Sequence, residues 1–178
     1  ARGSVLEVWR AALAAGKPLC LTDEAMTRFW LWPDEAVRLA LWVVVHGLRG
    51  AVVVPHLSAF RLTDLARALL LDSGAWMVTG RRPGEKLAEV LMTPEEQARA
   101  WWYAPEGQTP VHYVIPALIQ HWGGWDERDL WMVPPTEFAY GRCDGTPHAS
   151  VPYASNTWPW RLSVEALRAR IERQEQGL

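Results

Sequence analysis

Apolar residues recur at helical spacing from Val5 to Ala15, and Gly16 stops the run where a helix C-terminus favours glycine. A short extended piece, Leu19 to Thr22, leads into the polar turn Asp23-Glu24, and a second, Thr27 to Leu31, follows it. Pro33 suits a first helical turn, and Asp34 and Glu35 suit the positive end of the same helix. That helix is expected to run to about His46, where Gly47 and Gly50 break it. Its apolar character nearly all round, from Ala36 to Val45, predicts burial on more than one face. Ala51 to Val54, ended by Pro55, reads as a buried strand, and Ala75 to Thr79 as the next one. Thr63 is placed to cap a helix over Asp64 to Leu71. Thr93-Pro94-Glu95-Glu96 is a capping box with proline at the first helical position, which predicts a helix from Pro94 to about Trp102.

Past Tyr103 the pattern changes. Pro, Gly and Trp dominate as far as Trp160, with Val111 to Ile115 as the clear strand candidate, and Ser163 then caps a charged helix from Val164 to about Gln174. Helices alternating with short buried strands over the first hundred residues argue for an α/β layer. The chain therefore divides into 1–103, an irregular Trp/Pro/Gly-rich extension over 104–162, and a C-terminal helix over 163–178.

Composition narrows the classes. With 178 residues, 49% of them hydrophobic, the chain can bury a real core. A net charge of −2 with 21% charged residues points to neither disorder nor a nucleic-acid partner. Lys17 and Lys86 are the only lysines, so the positive charge is nearly all arginine, whose planar fork suits carboxylates and phosphates. Cys20 and Cys143 form neither a metal-ligand spacing nor a disulfide framework, and no metal is expected; a reducing cytoplasm fits. The longest apolar run, Leu39 to Val45, falls far short of the roughly 20 residues a membrane span needs.

Familiar catalytic motifs are missing from the printed sequence. It contains no G-x-G-x-x-G, no P-loop, no G-x-S-x-G and no H-E-x-x-H, and none of Tyr103, Tyr113, Tyr140 or Tyr153 has a lysine four residues on. His46, His56, His112, His121 and His148 are scattered rather than clustered. Two segments do carry unusual chemistry. Thr22 to Trp30 sets Arg28 among apolar residues, where a buried guanidinium needs an anionic partner. Gly80-Arg81-Arg82-Pro83-Gly84-Glu85-Lys86 follows a predicted strand and is expected to open a helix, the place where open α/β sheets bind ligands. An arginine there can grip a diphosphate bidentately, and a carboxylate three residues on can accept two sugar hydroxyls; an ordinary ion-paired turn would have the same sequence.

These segments resemble the short-chain dehydrogenase/reductase-type nucleotide-sugar enzymes of polysaccharide biosynthesis, above all the UDP-N-acetylglucosamine 4,6-dehydratases, the inverting ones of pseudaminic acid synthesis included. Arg2-Gly3-Ser4-Val5, Met26-Thr27-Arg28-Phe29-Trp30, Val54-Pro55 with Arg61-Leu62-Thr63-Asp64-Leu65-Ala66, Arg82-Pro83-Gly84-Glu85-Lys86-Leu87 with Glu89, and Tyr153-Ala154-Ser155-Asn156-Thr157 with Leu162-Ser163 match that family's segments in order. Trp32 departs from it, standing where the family usually has a threonine to cap the next helix.

The resemblance implies the C-terminal portion of an extended Rossmann-like fold, with the last sheet strands and a substrate-binding subdomain over 1–103. The N-terminal half with the NAD(P) fingerprint and Tyr-x-x-x-Lys would be absent, as a start at Ala1 without methionine would also suggest. It implies substrate-binding roles for Arg2, Ser4, Met26, Thr27, Arg28, Arg82 and Glu85, with Arg82 on the diphosphate and Glu85 near the uridine ribose. In the intact lyase, NAD(P) would take a hydride from sugar C4, water would leave across C5–C6, and the hydride would return at C6. This chain would contribute UDP-sugar binding, need the Rossmann half in cis or trans, and be inactive alone; the intact enzyme would be a cytoplasmic homo-oligomer. The alternative reading is a non-catalytic sugar-nucleotide-binding or interaction protein derived from the family. Trp101, Trp102, Trp122, Trp125 and Trp131 could stack on sugars, but they show no repeated spacing and suit packing. A sheet cut before its final strands would leave Ala51 to Val54 and Ala75 to Thr79 without neighbours, which predicts self-association.

Overall fold

A computed structural model of the chain describes residues 4–46, 50–70, 75–105, 112–115, 138–142, 153–157, 159 and 161–175. It forms two compact units, each assembled from separated stretches: 1–29, 58–89 and 158–178 in the first, 30–57 and 90–157 in the second. The architecture is mixed α/β.

The first unit begins with α1 (Val5–Ala14), whose N-cap Ser4 accepts a hydrogen bond from the Glu7 amide. Gly16 follows at φ 65°, a left-handed conformation that a side chain would strain. The chain then turns into β1 (Leu19–Leu21), where the Trp9 indole donates to the Cys20 carbonyl at 3.0 Å. Strand β2 (Thr27–Trp30) pairs with β4 (Ser58–Arg61). Helix α3 (Leu62–Leu70) follows β4 directly and packs against α5 (Val164–Glu175), burying Leu62, Leu65, Ala66, Leu70, Leu167 and Ile171. Thr63 is not the cap of α3, because the helix begins at Leu62 and Thr63 is buried in its first turn. Ser163 does cap α5, accepting from the Ala166 amide at 3.2 Å.

Strand β5 (Trp76–Val78) lies parallel to β1, with Leu19 opposite Trp76 and Leu21 opposite Val78. It therefore has a neighbour along one edge, where the sequence led us to expect none, and among the described residues its other edge is unpaired. Parallel pairing aims both chains the same way, so the loops after β1 and β5 leave from one edge.

The second unit is built on the sheet order β3-β8-β7-β9, from β3 (Val52–Pro55), β8 (His112–Ile115), β7 (Trp101–Pro105) and β9 (Phe138–Arg142), with every pairing antiparallel. Strand β3 also has its neighbour, in β8, and it is less buried than its β-branched run suggests: Val54 is in the core, whereas Val52 is 58% exposed. Helix α2 (Pro33–His46) covers this sheet through Trp42, which packs on Val114 and lies 3.9 Å from the His112 ring. No described residue of α2 is fully buried, and its half-buried positions, Glu35, Ala36, Leu39, Trp42 and Val43, lie along one stripe. Val37, Leu41, Val44 and Val45 are exposed, so burial on several faces is not what the helix shows.

At the start of α2 the Glu35 carboxylate accepts from the Trp32 amide at 2.9 Å, the half of a capping box that the side chain three residues into the helix supplies. The Trp32 side chain is buried edge-on to Trp30, with ring centroids 5.4 Å apart. Helix α4 (Pro94–Arg99) begins with the predicted capping box, Thr93 accepting from the Glu96 amide and Glu96 from the Thr93 amide. It stops earlier than periodicity suggests, because Trp101 and Trp102 enter β7. Trp101 packs against Val114, as expected of a packing residue; Trp122, Trp125 and Trp131 lie outside the described residues. Strand β10 (Tyr153–Ala154) pairs antiparallel with β6 (Val90–Met92).

Tyr153 is fully buried and stands edge-on to Tyr113. Its hydroxyl accepts from the Leu57 amide at 2.6 Å and lies 3.2 Å from the Pro55 carbonyl. Burial pushes its phenol pKa well above the ordinary range, so it stays neutral and structural.

Two stability measurements check these cores. Urea denaturation of Leu167→Ala should lose about 2–5 kcal/mol, the usual cost of truncating a fully buried leucine. Tyr153→Phe should cost about 1–3 kcal/mol by leaving the Leu57 amide without its acceptor, and a change below the error of the measurement would contradict that assignment.

Candidate functional site

The two parallel strands β1 and β5 end side by side, and the Thr79 amide extends their pairing by donating to the Leu21 carbonyl at 2.8 Å. Beyond this edge run two loops, Thr22 to Met26 after β1 and Gly80 to Glu89 after β5. The carboxyl ends of parallel strands are where α/β sheets present ligand-binding groups, because the diverging loops leave a crevice there.

Several polar contacts tie the loops together. The Thr22 hydroxyl donates to Glu85 Oε1 at 3.0 Å and lies 3.2 Å from Met26 Sδ. Arg81 Nε pairs with Asp23 Oδ2 at 3.5 Å. The Thr27 amide donates to the Leu87 carbonyl at 2.9 Å. Arg28 donates from Nη1 to the carbonyls of Thr27, at 2.7 Å, and Leu87, at 3.2 Å, while its Nε meets Glu89 Oε1 at 3.5 Å. The anionic partner that a part-buried Arg28 requires is thus Glu89.

Gly80 and Gly84 make the second loop possible. They adopt φ of 84° and 79°, which side chains tolerate poorly, and an added Cβ at either would meet nothing within 4 Å. The backbone is open at both positions. Between them the Glu85 amide donates to the Arg82 carbonyl at 3.0 Å, and the Arg82 amide donates to Glu85 Oε2 at 3.1 Å. The loop does not open a helix, as its sequence suggests, because the chain runs on into β6 before α4 begins.

Glu85 is therefore held by both carboxylate oxygens. The Arg82 amide lowers its pKa most, partial burial opposes this, and the Thr22 hydroxyl and the charges of Arg82 and Arg28 lower it further. The Arg82 guanidinium itself is exposed and has no hydrogen-bond or ion-pair partner among the described residues. The arrangement is one uncommitted bidentate cation beside one fixed, ionised acceptor.

Of the residues expected at a site, the structure gathers Met26, Thr27, Arg28, Arg82 and Glu85. Met26 and Thr27 are buried beneath the loops. Ser4 is engaged as the cap of α1, and Arg2 lies outside the described residues. Thr22 was not expected. Nothing in its own neighbourhood marks it, since its partner Glu85 is 63 residues away.

NAD(P) binding needs a glycine-lined turn leading into a helix N-terminus. The described junctions β2 to α2, β4 to α3 and β6 to α4 contain no glycine, so these residues do not by themselves fit a dinucleotide. No group of three or more His, Cys, Asp or Glu among the described residues could hold a metal ion. No described helix is long and apolar enough to cross a membrane.

Comparison with known proteins agrees with this mixed α/β frame. A solved structure, Pen from Bacillus thuringiensis, superposes on 98% of this chain and 47% of its own with a TM-score of 0.72, at 22% sequence identity, which establishes the fold. The sequence profile of the family described as "Polysaccharide biosynthesis protein" matches residues 1–105, and the chain belongs to that family. A UDP-N-acetylglucosamine 4,6-dehydratase (inverting) from Campylobacter jejuni is 34% identical over 98 residues, 53% of this chain and 28% of that enzyme. A UDP-glucose 4-epimerase from Rickettsia massiliae is 36% identical over 102 residues, 56% of this chain and 30% of that enzyme. The family is one of nucleotide-sugar dehydratases and epimerases, and the match spans less than a third of these two relatives.

A carbon-detected NMR titration tests the Glu85 geometry. The carboxyl should titrate below its ordinary value of 4.5. Because the folded pKa is depressed, the stabilisation from its contacts is complete above about pH 4.5 and disappears as the pH falls through the folded value. A midpoint at or above 4.5 would contradict the two-oxygen anchoring.

Proposed function

We propose that this chain is the UDP-sugar-binding part of a nucleotide-sugar 4,6-dehydratase or epimerase acting in polysaccharide or cell-surface glycan biosynthesis. The observation that carries this reading is the pairing of an uncommitted Arg82 with an anchored Glu85 at the carboxyl edge of β1 and β5. Arg82 grips the diphosphate bidentately, and Glu85 accepts hydroxyls of the ribose. Arg28, already committed to Glu89 and two carbonyls, holds the floor of the site with Met26 and Thr27. Ser4 and Arg2 belong to the sugar side.

The relatives support the division of labour. Stretches of similar length match an inverting dehydratase and an epimerase, two enzymes whose names share a UDP-hexose and differ in its fate. What such a region carries is recognition common to both. Hydride and proton transfer belong to a Rossmann half bearing NAD(P) and Tyr-x-x-x-Lys, joined in cis or in trans, and this chain alone is inactive.

Isothermal calorimetry with UDP and UDP-N-acetylglucosamine tests this reading directly. Arg82→Ala should weaken both about 10- to 100-fold, the range of a lost charge-assisted bidentate contact, and Arg82→Lys should restore part of it. Failure of the wild-type chain to take up either ligand would overturn the reading. Binding without turnover, even when a cofactor-bearing half is supplied, would favour a non-catalytic sugar-nucleotide-binding protein instead.

A further inference from the structure

We infer that Thr22 is the positioning residue for Glu85, and that through it the site selects a ribonucleoside diphosphate over the 2′-deoxy form. The inference rests on the reading that Glu85 faces the ribose. An ionised carboxylate offers about four acceptor positions, and here two are filled, one on each oxygen. Among the described residues the remainder have no partner, which leaves them for a pair of vicinal hydroxyls.

One anchor would not hold that geometry. The terminal torsion of a glutamate is broad and roughly two-fold, so the Arg82 amide on Oε2 alone leaves the carboxylate plane free to swing. The second anchor comes from the other loop, across 63 residues of sequence, and it fixes the plane. The Thr22 hydroxyl has one proton and two acceptors within reach, Glu85 Oε1 at 3.0 Å and Met26 Sδ at 3.2 Å. The ionised carboxylate is the stronger acceptor and takes it. Thr22 itself need not touch the ligand.

Two measurements on the 178-residue chain separate this role from the reading beneath it. Thr22→Val removes the donor and keeps the β-branched shape, whereas Thr22→Ser keeps the donor. The first measurement needs no ligand. NMR titration of Glu85 should move upward in Thr22→Val and return in Thr22→Ser, while the charges acting on it, Arg82 on its own loop and Arg28 on β2, stay in place. The second is calorimetry with UDP and 2′-deoxyUDP. Wild type and Thr22→Ser should favour UDP about tenfold, and Thr22→Val should fall to about twofold or less, UDP losing more affinity than 2′-deoxyUDP. An unshifted Glu85 titration in Thr22→Val overturns the positioning role, even if Arg82→Ala still weakens UDP and the proposed function stands. A shifted titration with no preference for UDP in the wild type overturns the ribose reading and the selectivity built on it.

Discussion

The parallel pairing of β1 with β5 is the contact on which the candidate site depends. Three register pairs, Leu19 with Trp76, Cys20 with Met77 and Leu21 with Val78, bring together stretches far apart in the chain. Leu19 and Leu21 are fully buried in it, so slipping the register by one residue would turn both toward the opposite face. Since parallel strands point the same way, their following loops are forced to be neighbours. Every polar tie between Thr22, Asp23, Thr27 or Arg28 and the loop from Gly80 to Glu89 follows from that.

Within those loops, counting partners distinguishes the arginines better than position does. Arg28 is spent on two carbonyls and Glu89, and Arg81 on Asp23. Among the described residues, the Arg82 guanidinium alone of the three has no hydrogen-bond or ion-pair partner. The paired guanidinium groups stiffen the frame, and under the proposed function the exposed Arg82 fork is the one left for an anion. Glu85 is the counterpart on the acceptor side, with both carboxylate oxygens anchored. Pre-ordered polar groups of this kind reduce the ordering cost of binding.

The second unit shows the same logic applied to packing. Tyr153 satisfies a buried amide at Leu57, and Glu35 satisfies the Trp32 amide at the entry to α2. Trp32 in turn is buried against Trp30.

Sequence by itself determined what local forces determine. The spans of α1, α2 and α5, the capping box at Thr93 and the left-handed turn at Gly16 follow from spacing, caps and glycine, all acting within a few residues, and the family motifs around Arg28 and Arg82 are legible as a resemblance. It was silent or wrong wherever distant chains compete. β4, β6, β9 and β10 carry no run like the one that marks β3, Trp101 and Trp102 leave helical spacing for a strand because β8 and β9 pair with them, and α2 shows one half-buried stripe where Trp42 meets the sheet. Thr22 is the clearest case. A threonine before Asp23 says nothing about its role, which exists only because β1 and β5 pair and bring Glu85 within 3.0 Å. Hydrogen bonds between loops depend on strand register, and register is a property of the whole sheet rather than of either segment.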